Sequence, residues 1–165
     1  MAIMDAFLQE LEHEAISTRK MLERVPGDAL AWKPHEKSMT LGRLAGHVAE
    51  IPGWAVETLT KDELNMDGSY KPPEMKTAKD ILQLFDQNLA SARGAMQGVA
   101  DGALMRLWTF QVYGKEVFKM PKVVVLRSFV FSHLIHHRGQ LSVYLRLKNV
   151  PLPQTYGPSA DESGF

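Results

Sequence analysis

The chain has 165 residues, and its 19 lysines and arginines are balanced by 19 aspartates and glutamates. This length suits a single domain spanning residues 1–165. The neutral charge, with basic residues scattered singly, argues against nucleic acid or an anionic membrane as a partner. The chain has no cysteine, which excludes disulfides, an internal thiol nucleophile and a cysteine-ligated zinc site.

The N-terminal segment does not resemble a secretory signal peptide. Residues 1–10 include acidic side chains and lack a long apolar run. The longest apolar stretch elsewhere, residues 123–126, is far too short to span a bilayer. We therefore expect a cytoplasmic protein without a membrane partner.

Helical periodicity predicts a first helix over residues 5–24, which ends where Pro26 is followed by Gly27. One face of this helix is expected to be buried, because a stripe of mostly apolar residues repeats along it at three- and four-residue steps. These residues are Met4, Leu8, Leu11, Ala15, Thr18, Leu22 and Val25.

A second helix is predicted to begin near Ser38 or Thr40, because either side chain can cap free backbone N–H groups. This helix carries His47 on its apolar stripe. Pro52 and Gly53 lie within it, and proline removes a backbone hydrogen bond. We therefore expect a kink just after His47.

A polar linker over residues 65–76 precedes the third helix. Thr77 and Asp80 resemble a capping box in which aspartate replaces glutamate. Gly98 follows the last member of the buried stripe and predicts the end of the helix. That stripe consists of Ile81, Phe85, Leu89, Ala92 and Met96.

The segment 108–120 alternates apolar and polar side chains on both sides of Tyr113 and Gly114, which predicts a short β-hairpin. Pro121 then serves as the first residue of a fourth helix that runs to about Lys148. Taken together, the elements predict an all-α, up-and-down four-helix bundle with a short β-hairpin between helices 3 and 4.

The histidines are the candidate metal ligands. His13 and His35 are expected to face water. His133 and His137 are four residues apart on the apolar stripe of the fourth helix, so their rings lie one above the other, and His47 has a similar place on the second helix. A lone core histidine is usually a hydrogen-bonded structural residue. Burying three imidazoles without partners, however, costs on the order of several kcal/mol, and one shared metal ion would satisfy them all.

His136 competes with His137 as a ligand, since it lies three residues from His133. His136 falls on the flank of the stripe, beside Phe129. This position favours a role beside the ligands, or in contact with a neighbouring helix, over direct binding of the metal. On helix geometry we prefer His137.

Four short motifs together resemble the DinB/YfiT-like family of metalloenzymes. Residues 133–140, His-Leu-Ile-His-His-Arg-Gly-Gln, resemble the fourth-helix motif, and residues 44–47, Leu-Ala-Gly-His, resemble the second-helix motif. Residues 32–34 resemble the preceding loop, and residues 156–162 resemble a frequent family ending. Each motif is unspecific by itself, but the combination is specific. The resemblance covers nearly the whole chain.

The resemblance implies a four-helix bundle with a three-histidine metal site, commonly as a homodimer. Carried over residue by residue, the ligands are His47, His133 and His137. Three imidazoles suit a divalent ion, zinc or nickel above all. Family members include transferases that use low-molecular-weight thiols and a thiol-dependent isomerase, and some of these have glutamate where this chain has His133.

Several side chains near the predicted ligands are candidates for further roles. The candidate catalytic residues are Glu50, as a general base or as a group that orients the second-helix histidine, and Gln140 and Tyr144, which can hydrogen-bond a ligand or pack between helices. Trp54 can wall a pocket or fill the core. Arg138 can recognise a substrate carboxylate, although we expect a surface arginine.

Three protein ligands leave a coordination position open, where a metal ion acidifies a water or deprotonates a thiol. Because the chain has no cysteine, a thiolate would come from an external low-molecular-weight thiol. Together with the resemblance, this predicts a thiol-dependent S-transferase acting on small electrophilic molecules. A metal-dependent hydrolase and a noncatalytic metal-binding stress-response protein are the alternatives.

Overall fold

The computed structural model describes residues 2–163, which are mostly helical with a small three-stranded sheet. Helix accounts for 57% of the residues, which confirms the predicted helical character. None of the helices within residues 2–163 is long and apolar enough to cross a membrane. The elements in chain order are α1 (Ile3–Leu22), a 3-10 turn (Gly27–Ala29), α2 (Leu41–Glu50), a second 3-10 turn (Ile51–Gly53), α3 (Trp54–Thr60), β1 (Glu63–Met66), α4 (Ala78–Met96), α5 (Asp101–Leu104), β2 (Leu107–Val112), β3 (Lys115–Pro121), α6 (Lys122–Val125), a π-helical segment (Leu126–Ser132) and α7 (His133–Leu147).

The predicted capping box at the start of α4 is confirmed. The Thr77 hydroxyl oxygen accepts a hydrogen bond from the Asp80 backbone N–H at 3.1 Å, and the Asp80 carboxylate accepts one from the Thr77 N–H at 2.8 Å. This pair satisfies backbone donors that have no partner within the helix. The whole predicted stripe of α4 is buried: Ile81, Phe85, Leu89, Ala92 and Met96.

The predicted second helix is divided in two, as its proline requires. Thr40 caps α2 by accepting from the Arg43 N–H at 3.2 Å. Pro52 lies in the 3-10 turn Ile51–Gly53, after which the chain continues as α3. The break comes one turn after His47, which therefore stays on a regular helix.

The predicted β-hairpin is confirmed. Strands β2 and β3 pair antiparallel, with an irregularity in register between Phe110 and Gln111. The turn residues Tyr113 and Gly114 have φ values of 48° and 73°. Positive φ at both central positions is what a type I′ turn needs, which explains how Tyr-Gly closes a tight hairpin.

The expectation of an all-α fold with only a hairpin of β-structure is wrong. A third strand, β1, pairs parallel with β2 from Glu63 opposite Thr109 to Met66 opposite Val112, and the sheet is mixed, in the order β1-β2-β3. Only two of the four β1 residues are apolar, and the partner strand is far along the chain. Short-range patterns do not reveal such a pairing.

The predicted fourth helix also needs correction at its start. Pro121 is the last residue of β3 and caps α6 rather than forming its first turn. Between α6 and α7 the backbone is π-helical over Leu126–Ser132, directly before His133. A π-helical segment carries extra residues per turn and changes the direction in which later side chains point.

Two clusters of buried side chains position the site. The main core lies between α1, α2, α4 and α7, and α2 contacts both α4 and α7. The sheet packs on the π-helical segment through aromatic rings, with the Phe129 centroid 5.4 Å from Phe110 and 6.1 Å from Trp108. The histidines lie near the junction of these clusters.

Candidate metal centre

The three predicted ligands lie close together. His47 comes from α2, and His133 and His137 come from the first two turns of α7. One ring nitrogen from each lies within 4.8 Å of the others, and the Nε2 atoms of His47 and His133 are 3.2 Å apart. The His137 ring centroid is 4.6 Å from each of the other two rings. Such a cluster of imidazoles can hold a metal ion.

The surroundings of His133 and His137 keep these two rings neutral. The Trp54 ring centroid lies 5.0 Å from His133 and 5.4 Å from His47, and Phe129, which stacks on Trp54, lies 6.0 Å from His133 on the same side. Burial, and after it the neighbouring imidazoles, lowers the pKa of His133 to about 4. Burial likewise lowers the pKa of His137. At neutral pH both rings therefore have the unprotonated form that a metal ion requires.

Two ligand rings have a polar neighbour at the nitrogen that faces away from the cluster. The Gln140 carbonyl oxygen lies 2.7 Å from His137 Nδ1. A Glu50 carboxylate oxygen lies 3.5 Å from His47 Nδ1, which is buried and has no hydrogen-bond partner within residues 2–163. A proton held at Nδ1 leaves the Nε2 lone pair free for a metal. The donor set thus fits a divalent ion such as zinc or nickel.

Glu50 is the charged group at the centre of this arrangement, and its side chain is largely buried. Arg43 donates to one of its oxygens at 2.8 Å, and the Tyr70 hydroxyl donates to the other. Burial would raise the pKa of Glu50, but His47, Tyr70 and Arg43 together outweigh it and lower the pKa. The carboxylate is therefore ionised at neutral pH.

The structure places Tyr144 and His136 differently from the three ligands. The Tyr144 hydroxyl donates to the Met39 carbonyl at 3.2 Å, and its ring meets Trp32 edge-on at 5.8 Å. These contacts favour the packing interpretation of Tyr144. His136 is exposed with its ring 4.8 Å from that of His137, in line with its predicted place on the flank.

The expectation that Arg138 is a surface residue is wrong. Its side chain is only 2% exposed and lies 2.6 Å from the Glu14 carboxylate and 3.1 Å from the Thr18 hydroxyl. The reason is that α7 packs against α1, and Arg138 points toward α1 one residue beyond His137. His13 and His35 are exposed, as predicted.

Sequence reasoning missed Arg43, Tyr70 and Phe129. Arg43 lies one turn before His47 and two turns before Glu50, so the helical period links all three, and this signal was available. Tyr70 reaches Glu50 from the polar linker, and nothing in the local pattern indicates that contact.

A cleft of about 640 Å³ shares Glu50, Trp54 and Phe129 with the surroundings of the histidines, although none of the three histidines lines it. Residues of α4 and β1 form other parts of its wall. Its size is that of a small-molecule pocket.

Known proteins resemble this chain along most of its length. A model of the DinB family matches residues 2–164. The uncharacterized protein YrdA of Bacillus subtilis (strain 168) is 28% identical over 164 residues, which cover 96% of this chain and 91% of YrdA.

Solved structures of DinB-like proteins have the same fold. A DinB-like protein from Bacillus cereus ATCC 10987 superposes with a TM-score of 0.74 and 29% identity, covering 94% of this chain and 98% of that chain. The DinB-like protein YjoA from Bacillus subtilis superposes with a TM-score of 0.69 over 90% of this chain and 96% of that chain, and at 20% identity it shows the fold alone. With the family match over nearly all residues, these likenesses establish that the chain belongs to the DinB family.

Proposed function

We propose that the chain is a metal-dependent enzyme in which His47, His133 and His137 hold a divalent ion, zinc or nickel, and that it transfers an external low-molecular-weight thiol to a small electrophilic molecule. The observation that carries this proposal is the cluster of three imidazoles with ring nitrogens within 4.8 Å of one another. Three ligands leave a coordination position open. When bound, the ion would lower the pKa of a thiol or water beside it and so supply a nucleophile at neutral pH.

In the transfer, the thiol gives up its proton to the solvent and its sulfur forms a bond to the electrophilic atom. The leaving group departs with the electron pair of the bond that breaks. Within the chain, Trp54 and Phe129 exclude water from one side of the histidines. A dry, apolar wall strengthens the electrostatic interactions on which such a step depends.

Glu50 and Gln140 serve this function by orienting the ligands. Both oxygens of Glu50 already accept hydrogen bonds, from Arg43 and Tyr70, and its pKa is lowered. This favours holding His47 over acting as a strong general base. Gln140 lies beside His137 in a similar way, and Tyr144 of α7 donates to the Met39 carbonyl in the loop before α2 and so holds α7 against that loop.

A metal-dependent hydrolase is the second candidate. The observation that favours it is the ionised Glu50 carboxylate beside His47. A carboxylate near a metal site can accept a proton from an attacking water. A noncatalytic metal-binding role in the stress response is the remaining alternative.

The test is a pair of activity panels on protein loaded with zinc or nickel. Chloronitrobenzenes and epoxides with several low-molecular-weight thiols report thiol transfer, and nitrophenyl esters without thiol report hydrolysis. We expect thiol-dependent product that disappears in metal-stripped protein and in His137→Ala. Hydrolysis without thiol would favour the second candidate, and no turnover in either panel would favour the noncatalytic role.

We also propose the domain organisation, the oligomeric state and the cellular location of the chain. We propose one domain in which the long helices form an up-and-down four-helix bundle, acting as a homodimer in the cytoplasm. The contacts of α2 with α4 and α7, and of α1 with the same two helices, support the bundle. The balanced charge supports a small molecule rather than nucleic acid as partner.

A further inference from the structure

The cleft beside the histidines has a distinctive chemical lining. Its apolar part includes the rings of Trp54, Phe110 and Phe129. Trp54 and Phe129 stack with centroids 4.9 Å apart, and Phe110 lies 5.4 Å from Phe129. Flat aromatic walls of this kind suit a planar apolar molecule.

The charged part of the lining has one sign. Glu50, Glu57 and Asp67 line the cleft, and within residues 2–163 no lysine, arginine or histidine does so. Lys61 pairs with Glu57 and Arg43 pairs with Glu50.

Asp67 differs from these two acids, since it forms no ion pair within the part of the chain that the structure describes. Hydrogen bonds from Ser69 lower the pKa of Asp67, so its carboxylate is charged at neutral pH. The cleft therefore offers an unpaired negative charge at the end that Asp67 lines.

We propose that this cleft binds a small molecule with a planar aromatic body and a positively charged group, and that such molecules are the substrate class of the metal centre. The assignment rests on the proposed function, because Trp54 both lines the cleft and lies 5.4 Å from His47 and 5.0 Å from His133. The charged group lies toward Asp67, and the reactive end lies toward Trp54. A cation between a carboxylate and aromatic faces is favoured twice, by Coulomb attraction and by the ring quadrupoles.

The acidic lining of the cleft should also disfavour anionic molecules. An anionic aromatic molecule would face Asp67, which has no ion-pair partner within residues 2–163, with no basic side chain in the lining to receive it. Repulsion between like charges opposes binding, and this is a common basis of specificity. An uncharged molecule of the same shape should bind between the two extremes.

The experiment uses three inert probes of nearly the same shape. These are 2-naphthylmethylamine, 2-naphthylmethanol and 2-naphthoate, titrated at pH 7 into the full chain without metal and with zinc, by calorimetry and ligand-observed NMR. We expect the amine to bind at least about tenfold more tightly than the naphthoate, with the alcohol between them. Naphthoate binding as tightly as the amine would overturn the proposal.

Matched variants locate the probe. Phe110→Ala should weaken the amine and the alcohol alike, whereas Asp67→Asn should reduce only the preference for the amine. Asp28→Asn is the control, because Asp28 is an exposed carboxylate that lines a different cleft. If Asp67→Asn and Asp28→Asn have equal effects on the amine, the cleft is not the binding site.

A distance measurement separates this inference from the proposed function. With cobalt(II) in place of zinc, the naphthyl protons of the bound amine should broaden because they lie near the paramagnetic ion. An amine preference with such broadening but no turnover in either activity panel would count against the proposed function only. Turnover with no preference for cationic probes would count against the substrate class only.

Discussion

At the scale of single residues, two of the three clustered histidines have a polar neighbour at Nδ1. Gln140 contacts His137 at Nδ1, and Glu50 lies beside His47 Nδ1. A ligand whose proton and ring plane are fixed in advance loses little freedom when a metal binds. The residue-scale predictions therefore concern the affinity for metal and the protonation of the cluster.

The two adjacent histidines of α7 should differ sharply. His137→Ala removes one of three ligands and should weaken zinc binding by more than about 100-fold, because removing a ligand exceeds the effect of removing a residue that supports one. His136→Ala should change the affinity only a few-fold, since His136 is exposed on the flank. Calorimetry against a competing chelator measures both, and the opposite order would refute the ligand assignment.

Glu50→Gln should weaken metal binding without unfolding the chain. It keeps the shape of the side chain but removes the charge beside His47, and the expected loss is about 10- to 100-fold in affinity. Glu57→Gln is the matched control, because Glu57 pairs with Lys61 at 2.6 Å rather than with a histidine. Equal affinities for the two variants would show that Glu50 does not support His47.

The metal-free protein should lose stability in mild acid. His133 has an ordinary pKa of 6.5 in the unfolded chain and a pKa of about 4 when folded. Because the unfolded chain binds this proton more tightly, the contribution to stability is present in full above pH 6.5 and is lost as the pH falls toward 4. Urea unfolding between pH 7 and pH 5 should show a weaker pH dependence in His133→Asn, whereas His13→Asn, an exposed control, should behave like the wild type. Identical slopes for the wild type and His133→Asn would contradict the buried, neutral ring.

At the scale of elements, the contact between α1 and α7 contains a buried ion pair. Arg138 and Glu14 are 2% and 4% exposed and lie 2.6 Å apart, and the Tyr156 hydroxyl donates to Glu14 at 2.8 Å. Buried charges need partners, so this pair fixes how α7 is rotated against α1. The same rotation turns His133 and His137 toward α2.

Breaking the pair should cost much more than breaking a surface pair. Arg138→Met leaves the Glu14 charge buried and uncompensated, with an expected loss of about 3–5 kcal/mol in the free energy of unfolding. Arg106→Met, which removes an exposed pair with Asp62, should cost less than about 1 kcal/mol. Arg138→Met combined with Glu14→Leu should recover most of the loss. Urea unfolding measures the free energy of unfolding of each variant. A smaller loss in Arg138→Met than in Arg106→Met would rule out the buried pair.

The elements also differ in how far local signals predict them. Thr77 and Asp80 cap α4 from within three residues, and Pro52 breaks the second helix where it stands. Strand β1 depends on β2 for its hydrogen bonds, and the π-helical segment before His133 contacts the sheet through Phe129 and Phe110. Interactions over short distances along the chain are visible in sequence patterns, and the others are not.

At the scale of the whole molecule, we predict a homodimer. Its basis is the family resemblance together with apolar side chains that α7 leaves exposed, Val143 at 58% and Leu147 at 56%. Exposed apolar surface favours association. Sedimentation at micromolar concentration should give twice the chain mass, and a monomer under these conditions would contradict the prediction.

Helical periods, capping residues and turn residues are recognisable over a few positions, and they predicted the helical character, the caps and the hairpin, while the motifs predicted the family. The convergence of His47, His133 and His137 was a hypothesis until the structure showed their ring nitrogens within 4.8 Å of one another. The structure alone reveals that β1 joins the sheet, that Arg138 is buried against Glu14, and that Tyr70 reaches Glu50 from the linker. Each of these joins residues that are distant along the chain, and such contacts form only when the elements pack and bury their polar groups together.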